Sequence, residues 1–104
     1  MNTAHTYIIK EFAKVVADAY VNQYHGGSRV MGTPIVYYNT ETGEFGWCSS
    51  LTPLSDDEIL IERVEEGNYG DTSNSTLDEI RQGIIELVVM TTTLDDLPEE
   101  CWRQ

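Results

Sequence analysis

Carboxylates are the side chains in this sequence best placed to do chemistry. Asp56-Asp57-Glu58, Glu65-Glu66, Asp95-Asp96 and Glu99-Glu100 group hard oxygen ligands of the kind that hold Ca²⁺ or Mg²⁺. A calcium loop needs them at alternating positions, and no stretch supplies that spacing, Asp71 to Asn74 included. Acidic pairs at loops and helix starts are satisfied by water or by the positive end of a helix dipole. No metal ligand is therefore assigned. Acid–base pairs can be drawn among Asp56, Glu58, Glu62 and Asp71, but with 18 acids in 104 residues such pairs arise by chance.

Cys48, His25 and Asp71 are the residue types of a thiol nucleophile, its base and an orienting acid. Such a triad is defined by geometry, and nothing in the spacing brings these three together. Cys48 reads as a small buried hydrophobe, and His25 as a group favoured at a helix C-terminus. Gly67-Asn68-Tyr69-Gly70 lacks the lysine and the length of a phosphate-binding loop. No catalytic residue and no cofactor is expected.

Charge narrows the partners. The chain carries 18 Asp and Glu against 6 Lys and Arg, a formal net charge of −12. Residues 1–51 hold four acids and three bases, whereas residues 52–104 hold fourteen acids and three bases. Nucleic-acid binding rests largely on neutralising phosphates with Lys and Arg, so DNA, RNA and anionic membranes are disfavoured as direct partners. The same field speeds encounter with a basic protein. Net charge also keeps proteins soluble or suits a salt-loving host, and both are simpler uses of it.

Cys48 and Cys101, the only cysteines, make neither a disulfide framework nor a zinc-finger spacing. They read as free thiols in a reducing cytoplasm. No run approaches the ~20 apolar residues of a membrane span. The N-terminus lacks the basic and apolar regions of a secretory leader, so none is expected.

Five elements follow from the patterning. Ile8, Ile9, Phe12, Val15, Val16, Ala19 and Tyr20 recur at spacings of three and four, opposite Lys10, Glu11, Lys14 and Asp18. That is an amphipathic helix over 5–24, capped by Thr3 or Thr6 and ended by Gly26-Gly27. Pro34 opens a strand through Ile35-Val36-Tyr37-Tyr38. Asn39 to Glu44 turns, with Gly43 left-handed, into a bulged hairpin returning through Phe45-Gly46-Trp47-Cys48. Gly46 allows a bulge or a close backbone approach. Tyr37 and Tyr38 must face opposite ways, so one stands on the outer face, alone or in a small cluster covered by the tail and Trp102.

Two patterns compete after the loop at 49–57. Ser55-Asp56-Asp57-Glu58 is a capping box, which starts helices. Ile59-Leu60-Ile61 and Val64 are strand formers, and a helix would set Glu62 four residues from both Glu58 and Glu66. A strand over 58–65 pairing with the hairpin is preferred. After a polar loop, Ser75 caps a second helix with Leu77, Ile80, Ile84, Leu87 and Val88 as its buried stripe, interrupted by Gly83. Ser75 and Thr76 also complete a glycosylation acceptor pattern with Asn74, which reads as a cap without a secretory leader. From Ile84 to Met90 nearly every side is apolar, so that half is expected to be well buried. Pro98 opens a short helix and Trp102 anchors the tail.

The fold expected is one α+β domain over 1–104, in helix–β-hairpin–strand–helix order. Two helices cover one face of a three-stranded antiparallel sheet, and the C-terminal tail docks. The order of elements resembles that of double-stranded-RNA-binding domains, in topology only, since those need basic phosphate contacts.

The function expected is that of a small acidic protein-binding module without catalysis. Small inhibitors, immunity proteins and DNA mimics share its size and charge. The partner-binding residues expected are Asp56, Asp57, Glu58, Glu62, Glu65 and Glu66, helped by residues 95–100, beside the hairpin aromatics Tyr38 and Trp47. The alternative is a self-associating structural or regulatory protein that forms a homodimer through apolar contact.

Overall fold

Helix α1 begins earlier than its apolar stripe requires, at Thr3, and runs to Tyr24. The structure is a computed structural model that describes residues 3–26, 29–70 and 75–103, with side chains from residue 6 onward. The side chain that would give Thr3 its capping role lies outside the described side chains, and Thr6 sits inside the helix rather than at its end. The last turn closes with His25 N–H donating to Val21 O, and the chain then bends at Gly26. Gly27 lies outside the described residues.

Strands β1 (Pro34–Asn39), β2 (Glu44–Ser49) and β3 (Glu58–Arg63) form one antiparallel sheet in the order β2-β1-β3. Strand β3 ends at Arg63, two residues short of 65, although Val64 N–H still donates to Pro34 O at 2.8 Å. Helix α2 (Leu77–Thr91) follows, and two single turns of 3₁₀ helix, Leu94–Asp96 and Glu99–Cys101, carry the tail. This is the α+β domain expected. Both helices lie on one side of the sheet. There α1 rests on β1 and β2, while α2 packs chiefly along α1. The shortest extent of the Cα frame, 18 Å, is that of two layers.

The hairpin closes through Asn39. Its side-chain oxygen accepts from the N–H groups of Glu41 and Thr42, and Gly43, at φ 74°, donates its N–H to Asn39 O. Pairing from Asn39↔Glu44 to Pro34↔Ser49 is unbroken, so the hairpin carries no bulge. The irregularity lies on the other side of β1. There Val36 faces Glu62 and Tyr37 faces Leu60, which leaves Ile61 as the extra residue. Gly46 serves close approach instead: a Cβ on it would lie 2.6 Å from Tyr37 Oη.

Side-chain alternation then sorts the sheet. Val36, Tyr38, Phe45, Trp47 and Ile61 turn to the helices and join the core built on Phe12, Val16, Tyr20, Ile84 and Val88. Ile35, Tyr37, Cys48 and Leu60 turn to the opposite face. Ile35 is 5% exposed although it stands outside the main core. Strand β2 ends beside Pro34 and β3 begins beside Asn39, so residues 50–57 must travel the length of the sheet and cross β1. That path is roughly 20 Å, within the ~27 Å reach of eight extended residues. Trp102 packs on the main core, so the tail does not shelter the outer face, where Leu60 stays 53% exposed.

Helix α2 corrects two expectations. Its cap is Thr76, not Ser75. Thr76 Oγ1 accepts from Glu79 N–H, and Glu79 Oε1 accepts from Thr76 N–H. The reciprocal box needs Glu or Gln three residues on, which Thr76 has and Ser75 does not. Only Ile80, Ile84 and Val88 are buried, whereas Leu77, Leu87 and Met90 are exposed, Met90 by 81%. Ile85 and Val89 are half-buried against the core beside this stripe, so the expected burial of 84–90 holds for all its apolar residues except Leu87 and Met90. Arg81 reaches across to pair with Asp18 of α1.

The tail docks as expected, through more residues than Trp102. Leu97 and Cys101 are buried in the core. Trp102 is half-buried and its indole N–H donates to Leu97 O.

Candidate functional site

The acidic segments of the sequence meet because of one bulge. Without an extra residue in β3, alternation would send Glu62 to the outer face with Glu58 and Leu60. The irregularity at Ile61 turns Glu62 to the helix side, a common use of bulges. There Ile61, Glu62, Phe12, Thr91, Thr92 and Asp96 line a cavity of about 310 Å³. Glu62 is exposed overall, yet partial burial of its carboxyl, and then the Asp96 charge, raise its pKa. Asp96 is itself held by the backbone N–H of Thr93.

The other expected residues spread along β3. Asp56 and Asp57 are exposed in the turn before it, and Asp57 O accepts from Thr40 N–H. Glu58, on the outer face, accepts from Ser55 N–H at 2.9 Å. Its charge contributes, after burial, to raised pKa values for Tyr37 and Cys48. Glu65 pairs with Arg63 at 3.8 Å, and Glu66 opens a 3₁₀ turn, Glu66–Tyr69. The structure therefore brings Glu62 to the tail acids and leaves Asp56, Asp57 and Glu58 at the far end of the strand. Tyr38 and Trp47 are both half-buried on the helix side. Trp47 packs against the core.

Most of these carboxylates are not neutralised. Among the described residues the ion pairs are Glu11–Lys14, Glu65–Arg63, Asp18–Arg81 and Glu99–Arg103. Asp56, Asp57, Glu58, Glu62, Asp95, Asp96 and Glu100 have no cation in reach among them.

A second cluster was not visible in the sequence. Tyr7, Glu11, Tyr38, Glu44 and Phe45 line a groove of about 230 Å³ between the first turns of α1 and the hairpin turn. Val15 and Cys101 also line it. The Tyr7 hydroxyl donates to Glu11 one helical turn on. That bond and the Glu11 charge push the phenol pKa up, with a smaller push from Glu44. Tyr38 and Phe45 stack edge-on with ring centroids 5.1 Å apart. Tyr7 and Glu11 sit four apart on the helix, which a sequence shows. Their meeting with Glu44 and Phe45 depends on how α1 docks, which a sequence does not show.

The remaining constellations do not assemble. Cys48 lies on the outer sheet face, while His25 stacks on Tyr20 at 5.5 Å on the helix side. Asp71 lies outside the described residues. Burial and Glu58 raise the Cys48 pKa, the reverse of nucleophile activation. Cys48 and Cys101 are free thiols. Among the described residues no three His, Cys, Asp or Glu side chains converge as metal ligands, and no helix is long and apolar enough to cross a membrane. No family model, curated protein or solved structure matches the chain.

Proposed function

We propose that this chain is an acidic protein-binding module, of the inhibitor or immunity-protein kind, that docks onto a basic protein in the cytoplasm and performs no chemistry. The observation that carries this reading is the convergence of Glu62 with Asp96. A chain needing charge only for solubility has no reason to fold two acidic segments together, where partial burial and then the Asp96 charge make Glu62 harder to ionise. A basic partner would relieve that repulsion, and its cations would gain contacts that the free module leaves unmade. Free thiols suit a reducing compartment.

The test is capture from source-cell lysate with tagged protein at about 0.1 M and about 0.5 M salt, between which screening shortens sharply. A basic protein retained at low salt, lost at high salt, and lost at low salt from a Glu62→Gln/Asp96→Asn variant supports the reading. Recovery of the bait alone at both salts overturns it.

A second reading, self-association, is favoured by Leu87 and Met90, exposed by 37% and 81% on α2. It requires a dimer in sedimentation that survives high salt, because apolar contact is not screened.

A further inference from the structure

The groove between α1 and the hairpin turn has a chemistry distinct from the acidic edge at Glu62. Three aromatic rings, Tyr7, Tyr38 and Phe45, and two carboxylates, Glu11 and Glu44, line it. Aromatic rings and carboxylates attract the same kind of group, a cation with a flat or greasy body. At about 230 Å³ the groove is smaller than the ~300–1,000 Å³ of sites that take a cofactor or drug-sized ligand. It suits one side chain.

Its charge is partly committed. Glu11 is paired with Lys14 at 3.7 Å, and that lysine is well exposed and free to swing away. Glu44 is exposed and meets no cation among the described residues. Tyr7, 63% exposed, meets Glu11 one helical turn on rather than the core. The floor is firmer, since Phe45 packs on Phe12 at 5.7 Å and Cys101 is buried beneath.

The geometry points to this groove as the receptor for a single arginine side chain of the partner protein. The assignment rests on the reading of the chain as an acidic module and names the contact that module makes. Arginine is favoured over lysine because the planar guanidinium stacks on aromatic rings while pairing bidentately with a carboxylate, and sheds water more readily. Glu44 supplies the carboxylate, Tyr7 and Phe45 the rings, and Glu11 accepts from the Tyr7 hydroxyl.

N-acetyl-arginine amide titrated into ¹⁵N-labelled protein tests this, with the uncharged isostere N-acetyl-citrulline amide and N-acetyl-lysine amide as controls. The expected result is saturable amide shifts at Tyr7, Glu44 and Phe45 in the millimolar range, weaker with lysine and absent with citrulline. Glu44→Gln and Tyr7→Ala, both at exposed positions, should each weaken arginine binding about two- to fivefold, the scale of one exposed contact. Equal shifts from citrulline, or shifts confined to the Glu62–Asp96 edge, would overturn the assignment. Failure here is separable from failure of the module reading. A salt-sensitive basic partner captured equally by wild type and Glu44→Gln, with no saturable arginine shift, sinks the groove alone. Groove-specific arginine shifts with no salt-sensitive partner at all sink the module reading instead.

Discussion

Glu62 reaches Asp96 only because Ile61 is an extra residue in β3. The linkage follows from the raised pKa of Glu62. The folded state holds its proton more tightly than the unfolded chain, so ionisation penalises folding. The penalty is absent below the ordinary glutamate value of about 4.3 and complete above the folded value. Glu62→Gln should therefore raise the melting temperature at pH 7 by about one or two degrees, the scale of a screened surface charge in a domain this size. The gain should vanish near pH 4 and shrink in high salt. Thermal melts of both proteins at pH 4 and pH 7 check it. A loss of stability at pH 7 would mean that Glu62 makes favourable contacts outweighing its repulsion from Asp96.

Tyr37 lies over Gly46 so closely that an added methyl would meet the ring. Gly46→Ala should cost about 1–2 kcal/mol in urea unfolding, within the range for overpacking. In a Tyr37→Ala background the cost should fall toward zero, because the obstructing atoms are gone. A double-mutant cycle measures the difference directly. Equal costs in both backgrounds would place the strain in the backbone instead.

What the sequence could show, and what it could not, divides along the range of the interactions involved. Periodicity and turn chemistry marked α1, the hairpin and α2 because those signals are local. Ser55-Asp56-Asp57-Glu58 shows a local signal working and then being overruled. Glu58 does reach back to Ser55 N–H as in a capping box, but the chain continues as a strand because Tyr37 and Tyr38 offer a ladder to Leu60 and Ile59. The bulge at Ile61, the burial of Ile35 outside the main core and the groove at Tyr7 depend on which distant segment packs where. Apolar character likewise did not decide burial in α2, since Met90 has no neighbour to pack against.

Three tyrosines clamp the end of β3 to α1, and only some of their hydroxyls are satisfied. Tyr24 Oη donates to Val64 O at 3.0 Å, while Tyr69 Oη is buried without a hydrogen-bond partner among the described residues. Tyr69 stacks edge-on against Tyr20 at 5.4 Å, and burial, then Glu62, push its phenol pKa up. Tyr24→Phe should cost about 0.5–1.5 kcal/mol, the net worth of a hydrogen bond. Tyr69→Phe should be neutral or stabilising, since it removes a polar atom that gains nothing from burial. Urea midpoints of the two variants check the contrast. An equal loss in both would show a water bonded to Tyr69.

The thiols should differ in reactivity. Burial, then Glu100, push the Cys101 thiol up to about 12, leaving almost no thiolate at pH 8. Cys48 is also raised, by burial and then Glu58, but is half-exposed. A disulfide reagent at pH 8 should label Cys48 first, more slowly than it labels a small-molecule thiol with an ordinary pKa, and reach Cys101 only as fast as the protein opens. Two equal fast phases would show that the tail carrying Cys101 undocks readily.

Helix α2 offers the sharpest contrast between residues of like chemistry. Ile84 is 2% exposed against α1, and Ile84→Ala should cost about 2–5 kcal/mol through lost burial and a cavity. Met90→Gln also removes apolar surface, yet should change stability by less than about 0.5 kcal/mol, because Met90 is 81% exposed in the folded monomer. Chemical denaturation at two protein concentrations separates the alternatives. A Met90→Gln loss that grows with concentration would mean that a second copy covers this face, since binding to the native state adds stability by mass action. A loss independent of concentration would mean that α2 lies deeper in its own chain than its single buried stripe indicates.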